Sequence, residues 1–169
     1  GQNALFARML LEDYRKNGDE DSLQQGVEIL DNWAKRAPAE WGLLCVQVRD
    51  TFQKETAVSD TCNMGWGAAE FVRAYRLMKA LGVEKPEWLQ AARGLCDFFL
   101  THFDAEFGFG KEWKLTGECL DKGGTIGGFI LCAFVELYKE TGEKPYLEMA
   151  EKALRLYVER DLNGFFCTA

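Results

Sequence analysis

Tyr138-Lys139-Glu140-Thr141-Gly142-Glu143-Lys144-Pro145-Tyr146-Leu147-Glu148-Met149-Ala150 decides the fold. Gly142 stands where a helix ends on a left-handed residue, and Pro145 suits the first turn of the next helix. The stretch therefore reads as the turn of a helical hairpin. Working outward, Leu147, Ala150, Leu154 and Tyr157 trace one apolar stripe with charged residues opposite. The same unit occurs earlier in the chain. Tyr14, Gly18, Leu23 and Leu30 match Tyr138, Gly142, Leu147 and Leu154 at a fixed offset, and Gly82 with Leu89 supplies a middle copy. Trp41, Phe107 and Phe165 follow at equivalent points. The period is roughly 60 residues, longer than common solenoid repeats.

Three hairpins follow from this repeat. First helices are expected at Ala4–Lys16, Gly65–Leu81 and Thr125–Glu140, and second helices at Ser22–Arg36, Pro86–His102 and Pro145–Arg160. Ser22 with Gln25 has the pattern of a capping box. The stretch from Ile126 to Tyr138 is apolar almost all round, whereas the second helices carry a charged face, as in Glu148, Glu151, Lys152 and Arg155. First helices are thus expected inside and second helices outside. No segment alternates as a strand, so the chain reads as all-α: one segment over 1–169, with hairpins at about 4–36, 65–102 and 125–160. The links within hairpins are short. Those between hairpins, Ala37–Met64 and Phe103–Gly124, are long and fall at one end, where the inner helices begin. Long loops in helical domains tend to carry function.

Composition narrows the function. The 169 residues are 47% hydrophobic and 28% charged, which excludes a disordered chain. A net charge of −7 argues against a nucleic-acid partner, and no stretch is apolar for long enough to span a membrane. The six cysteines form no C-x-x-C pair and the lone histidine is His102, so no zinc site or other cofactor is expected. Free thiols are favoured over disulfides. A cytoplasmic location is favoured, and a secreted or periplasmic one follows if a leader was removed.

The paired inner and outer helices, the Y-x-x-x-G turns and the outer-helix pattern beginning Tyr146-Leu147 resemble the six-hairpin glycosidases, whose fold is an (α/α)6 toroid. The resemblance covers nearly the whole chain, but three hairpins make half a ring. It implies either a missing C-terminal half or self-association to close the barrel. It also implies a carbohydrate substrate, bound where the inner helices begin, and hydrolysis by carboxylate acid/base catalysis. Polysaccharide lyases, sugar epimerases and non-catalytic helical-repeat binding modules are the alternatives on such a frame.

Glycoside hydrolysis needs a proton donor and a second carboxylate. Asp60 and Asp121 occupy similar repeat positions just before inner helices and are the first candidates, although an aspartate there also suits a helix cap. Glu112 and Glu118 lie in the second long loop, on either side of Trp113. Trp113 and Trp66 are candidate sugar platforms, because an aromatic face stacks on the apolar face of a pyranose. Asn63 and Lys122 are candidate substrate contacts at the same end. The run Gly123-Gly124-Thr125-Ile126-Gly127-Gly128 opens an inner helix and permits close packing or an anion.

Overall fold

The hairpin turns form as the glycines require. Gly18 and Gly142 have φ of 70° and 73°, and their N–H groups donate to the Tyr14 and Tyr138 carbonyls at 2.8 Å. A computed structural model describes residues 1–36, 58–114 and 116–162. Six α-helices lie among them: α1 (Gln2–Asn17), α2 (Glu20–Arg36), α3 (Thr61–Ala80), α4 (Pro86–Thr101), α5 (Ile130–Thr141) and α6 (Lys144–Tyr157). A 3-10 turn over Ile126–Phe129 leads into α5, and a π turn over Val158–Leu162 extends α6. Pro86 and Pro145 sit in the first turns of α4 and α6, where no intrahelical N–H is needed. The expected capping box at Ser22 does not form. Helix α2 begins earlier, at Glu20, and the Ser22 hydroxyl instead donates to Asp19 at 2.6 Å and to Asp13 at 3.1 Å.

The helices form two shells. Within the inner one, α3 packs between α1 and α5; within the outer one, α4 packs between α2 and α6. Each hairpin joins an inner helix to an outer one. The outer shell is tied by polar links across its helices. Trp88 on α4 donates to Asp31 on α2 at 2.7 Å, and Tyr146 on α6 donates to Asp97 on α4 at 2.6 Å. The core lies between the shells and includes Phe71, Trp88, Phe99, Phe109, Phe134 and Tyr146. Inner helices approach closely at Gly65: a Cβ there would fall 2.5 Å from the Phe129 carbonyl oxygen.

Burial on every side belongs to α3 rather than α5. Helix α3 has an inner neighbour on both flanks; among the described residues α5 has one. Phe129 and Cys132 are therefore exposed, as are Leu154 on α6 and Val158 in the π turn after it. At the opposite edge Phe6 and Met9 of α1 are exposed.

The reading of no strands needs correction. Three short strands, β1 (Val58–Asp60), β2 (Glu112–Lys114) and β3 (Cys119–Asp121), form an antiparallel sheet in the order β1-β2-β3. Each is three residues long, too short for an alternating pattern to stand out in the sequence. The sheet joins the two inter-hairpin connections at the end where α3 and α5 begin. Trp41, Lys54, Phe165, Cys45 and Cys167 lie outside the described residues.

Candidate functional site

The sheet is locked onto the start of α3. The Thr61 N–H donates to the Lys111 carbonyl at 2.9 Å, and its hydroxyl donates to the Gly110 carbonyl at 3.0 Å. Asp60 caps α3: its carboxylate accepts from the Asn63 backbone N–H and from the Asn63 side-chain amide, both at 2.7 Å. The start of α5 is drawn to the same place. A Cβ on Gly127 would meet the Gly110 carbonyl oxygen at 2.7 Å. Tyr157 reaches from α6 beneath this end, and its hydroxyl accepts from the Phe109 N–H at 2.9 Å.

Strand register sets three of the candidate carboxylates in a row. Asp60 pairs with Glu112, and Glu112 pairs with Asp121 across a bulge that leaves Leu120 unopposed and exposed. Asp121 accepts from the Gly123 N–H at 2.8 Å and lies 3.6 Å from the Lys111 ammonium. Glu118 sits apart, exposed in the β2–β3 turn and ion-paired with Lys114. Trp66 is half-buried on α3, one turn beyond Asn63. Lys122 is exposed, with its ammonium 4.8 Å from the Phe107 ring centre.

Trp113 departs from the expectation of a sugar platform. It faces the opposite side of β2 from Glu112, is 3% exposed, and meets Phe98, Phe99 and His102 edge to face. Its indole donates to the Phe109 carbonyl at 2.8 Å. The buried aromatics of this loop, Phe109 and Trp113, belong to the core beneath the sheet. His102 stacks on Phe98 with ring centres 3.8 Å apart, at the end of α4. Cys62, Cys96, Cys119 and Cys132 are free thiols, and burial pushes the Cys96 thiol well up. Among the described residues no group of three or more His, Cys, Asp or Glu side chains is placed to hold a metal, and no helix is long and apolar enough to cross a membrane.

Sequence reasoning passed over a second set of charges, along the inner helices. Glu70 of α3 is 1% exposed and binds Arg8 of α1 and Arg73 of α3. Glu136 of α5 is also buried; Arg73 reaches it at 3.1 Å and Arg76 at 3.0 Å. Glu140 takes Arg76 at 3.2 Å and Lys79 at 2.9 Å. Buried carboxylates persist only when paired in this way. Burial alone would raise the Glu136 carboxyl, but hydrogen bonds from Arg76 and Arg73 overcome it and hold the group below its ordinary value. Glu140 follows the same balance, with burial opposed by Lys79 and Arg76. Burial opposes the charge on Arg73 too, yet Glu70 and Glu136 push its guanidinium upward. The available signal was charge interrupting apolar helices: Glu70, Arg73 and Arg76 at helical spacing in α3, and Glu136 inside the apolar run of α5.

Comparison with solved structures finds the GH76 alpha-mannanase BT2949 of Bacteroides thetaiotaomicron, with a TM-score of 0.66 at 14% identity. The match covers 94% of this chain and 44% of the mannanase chain. The fold is half of an (α/α)6-type toroid. The chain thus spans less than half the length of that relative. No protein-family model matches it, and no curated protein matches it in sequence.

Proposed function

We propose that this half-toroid is a carbohydrate-active segment of the six-hairpin glycosidase type, taking an oligosaccharide or polysaccharide where the inner helices begin. The observation that carries this reading is the Asp60–Glu112–Asp121 row, held by strand pairing at the starts of α3 and α5. Glycosidic cleavage requires one carboxylic acid to protonate the leaving oxygen and a second carboxylate to activate water or attack the sugar. In this proposal Glu112, central in the row, is the donor and Asp121 the second carboxylate. Asp60 and the Gly1 ammonium hold the Asn63 amide at both ends. Trp66, with Gly1 packed against its indole, offers a stacking face, and Lys122 lies at the rim. Glu118, turned to solvent, stands outside the reacting group. The mannanase likeness supports the frame on which such chemistry is carried.

The test is an NMR titration of the chain with a panel of neutral and acidic oligosaccharides. Shifts are expected at the Trp66 indole and at the amides of Asp60, Glu112 and Asp121. Trp66→Ala is expected to weaken binding about tenfold, in keeping with lost aromatic contact. Where an oligosaccharide is cleaved, Glu112→Gln should slow turnover roughly 100- to 10,000-fold. Shifts confined to the outer shell, or no binding by any oligosaccharide, would overturn the reading.

A further inference from the structure

The charged face of the inner shell is layered by sign. The Glu70, Glu136 and Glu140 side chains lie at the bottom, 1%, 8% and 11% exposed. Arg73, Arg76, Lys79 and Lys139 lie above them, 38%, 41%, 50% and 55% exposed. With Arg8, five cations among the described residues meet these three carboxylates. The adjoining Glu12 and Arg15 add one charge of each sign and leave the excess at two. A network that only neutralised these three carboxylates would need three cations. This excess stands on a chain whose net charge is −7, so it runs against the overall sign. Trp66, Glu70 and Arg73 recur at i, i+4 and i+7, which places the indole on the same face, nearer the start of α3.

We propose that this face binds an anionic oligosaccharide, with a sugar ring on Trp66 and its acidic groups on Arg73, Arg76, Lys79 and Lys139. The inference rests on the glycan reading above and names the substrate class for it: a chain docked at the helix starts runs along the inner helices to Lys79 and Lys139 in their last turns, about 20 Å beyond Trp66. Arginine suits the role, since its planar, weakly hydrated guanidinium pairs with carboxylate or sulfate through parallel N–H bonds. Half-exposed cations above buried acids keep their outer surface available, whereas the acids are shielded from the ligand. Uronate and sulfate share this chemistry, so both are tested.

Isothermal titration of the chain with a short oligogalacturonate, a sulfated oligosaccharide and a size-matched neutral mannooligosaccharide decides it. At least one acidic probe is expected to bind about tenfold tighter than the neutral one, with the gap narrowing as salt screens the charges. Lys79→Gln combined with Lys139→Gln removes two exposed cations while Glu136 keeps Arg73 and Arg76, and Glu140 keeps Arg76. That variant should bind the acidic probe roughly three- to tenfold more weakly and the neutral probe unchanged. Its circular dichroism reports whether it folds, and if it does not, the three-probe comparison on the unaltered chain decides alone. Equal affinity for acidic and neutral probes overturns this inference and leaves the glycan reading standing. Failure of all three to bind overturns both.

Discussion

Two sets of carboxylates belong to the inner shell, and the protein holds them in opposite ways. Asp60, Glu112 and Asp121 sit on a small sheet at the helix starts, half-exposed, each on a different strand. Glu70 and Glu136 sit along the helices themselves, buried, each bound by more than one cation. The first set is positioned by backbone pairing and stays half-exposed, with Asp60 capping α3 and Asp121 beside the Lys111 ammonium. The second set is consumed by ion pairs that cross from α1 to α3 and from α3 to α5. One set therefore lies at the sheet end, where the proposal above places the chemistry, and the other fastens the inner helices in register.

The largest test of this contrast is Glu70→Ala. Removing a carboxylate that is 1% exposed strands the Arg8 and Arg73 guanidiniums on a face built around it. Breaking a buried pair from one side costs about 3 kcal/mol or more. The arginines are partly exposed and can turn to water, so the lower end of that range is expected, read as a urea-unfolding midpoint shift. Glu112→Ala should change stability far less. Equal losses would erase the distinction between the two sets.

Acid titration sharpens the same point. Unfolded glutamates titrate near pH 4.3. Glu136 and Glu140 are held below their ordinary value in the fold, so they contribute stability that is whole above about pH 5. It drains as the pH falls through their folded values, when protonation dissolves the pairs. The expected outcome is an unfolding midpoint that drops on acidification from about pH 5. In Glu136→Gln the midpoint starts lower at neutral pH and falls less steeply. An unaltered slope in that variant would remove Glu136 from the network's titration.

Much of the fold was legible because helical hairpins leave local marks. Gly18, Gly82 and Gly142 all have positive φ, and Pro86 and Pro145 open helices, as their chemistry demands. The two shells followed from the pairing of an apolar-rich first helix with a more amphipathic second one, although the inner helices prove to carry a charged face of their own. The sheet was not legible: three-residue strands are defined by long-range pairing, and no local pattern records that Asp60 will lie beside Glu112. Trp113 misled for a related reason. An aromatic in a glycine-rich loop looks available, but strand alternation turns it inward while Glu112 turns outward. Glu136 was lost inside an apolar run because hydrophobic periodicity counts what faces the core and gives little weight to a single buried charge.

Asp60 lies between the two sets in behaviour, since it both caps α3 and belongs to the sheet row. Replacing a capping aspartate by alanine costs about 1 kcal/mol. Asp60→Asn keeps an acceptor for the Asn63 N–H and should recover most of that loss. A loss of several kcal/mol in Asp60→Ala would mean that the sheet end is fastened as tightly as the ion-paired face.

The smallest effect is expected at Glu118. Its side chain is 61% exposed, and its ion pair with Lys114 spans the turn between β2 and β3. Water competes for both partners, and two long side chains lose freedom when they meet, so such a pair contributes less than about 0.5 kcal/mol. Glu118→Gln keeps the shape and removes the charge, and its unfolding midpoint should nearly coincide with that of the unaltered chain. The same substitution in 1 M salt should show no difference at all, since screening already removes an exposed attraction over a few ångströms. A salt-insensitive loss would mean that the turn, rather than the strand register, holds Glu112 opposite Asp121. The row of carboxylates would then depend on an exposed residue of the turn.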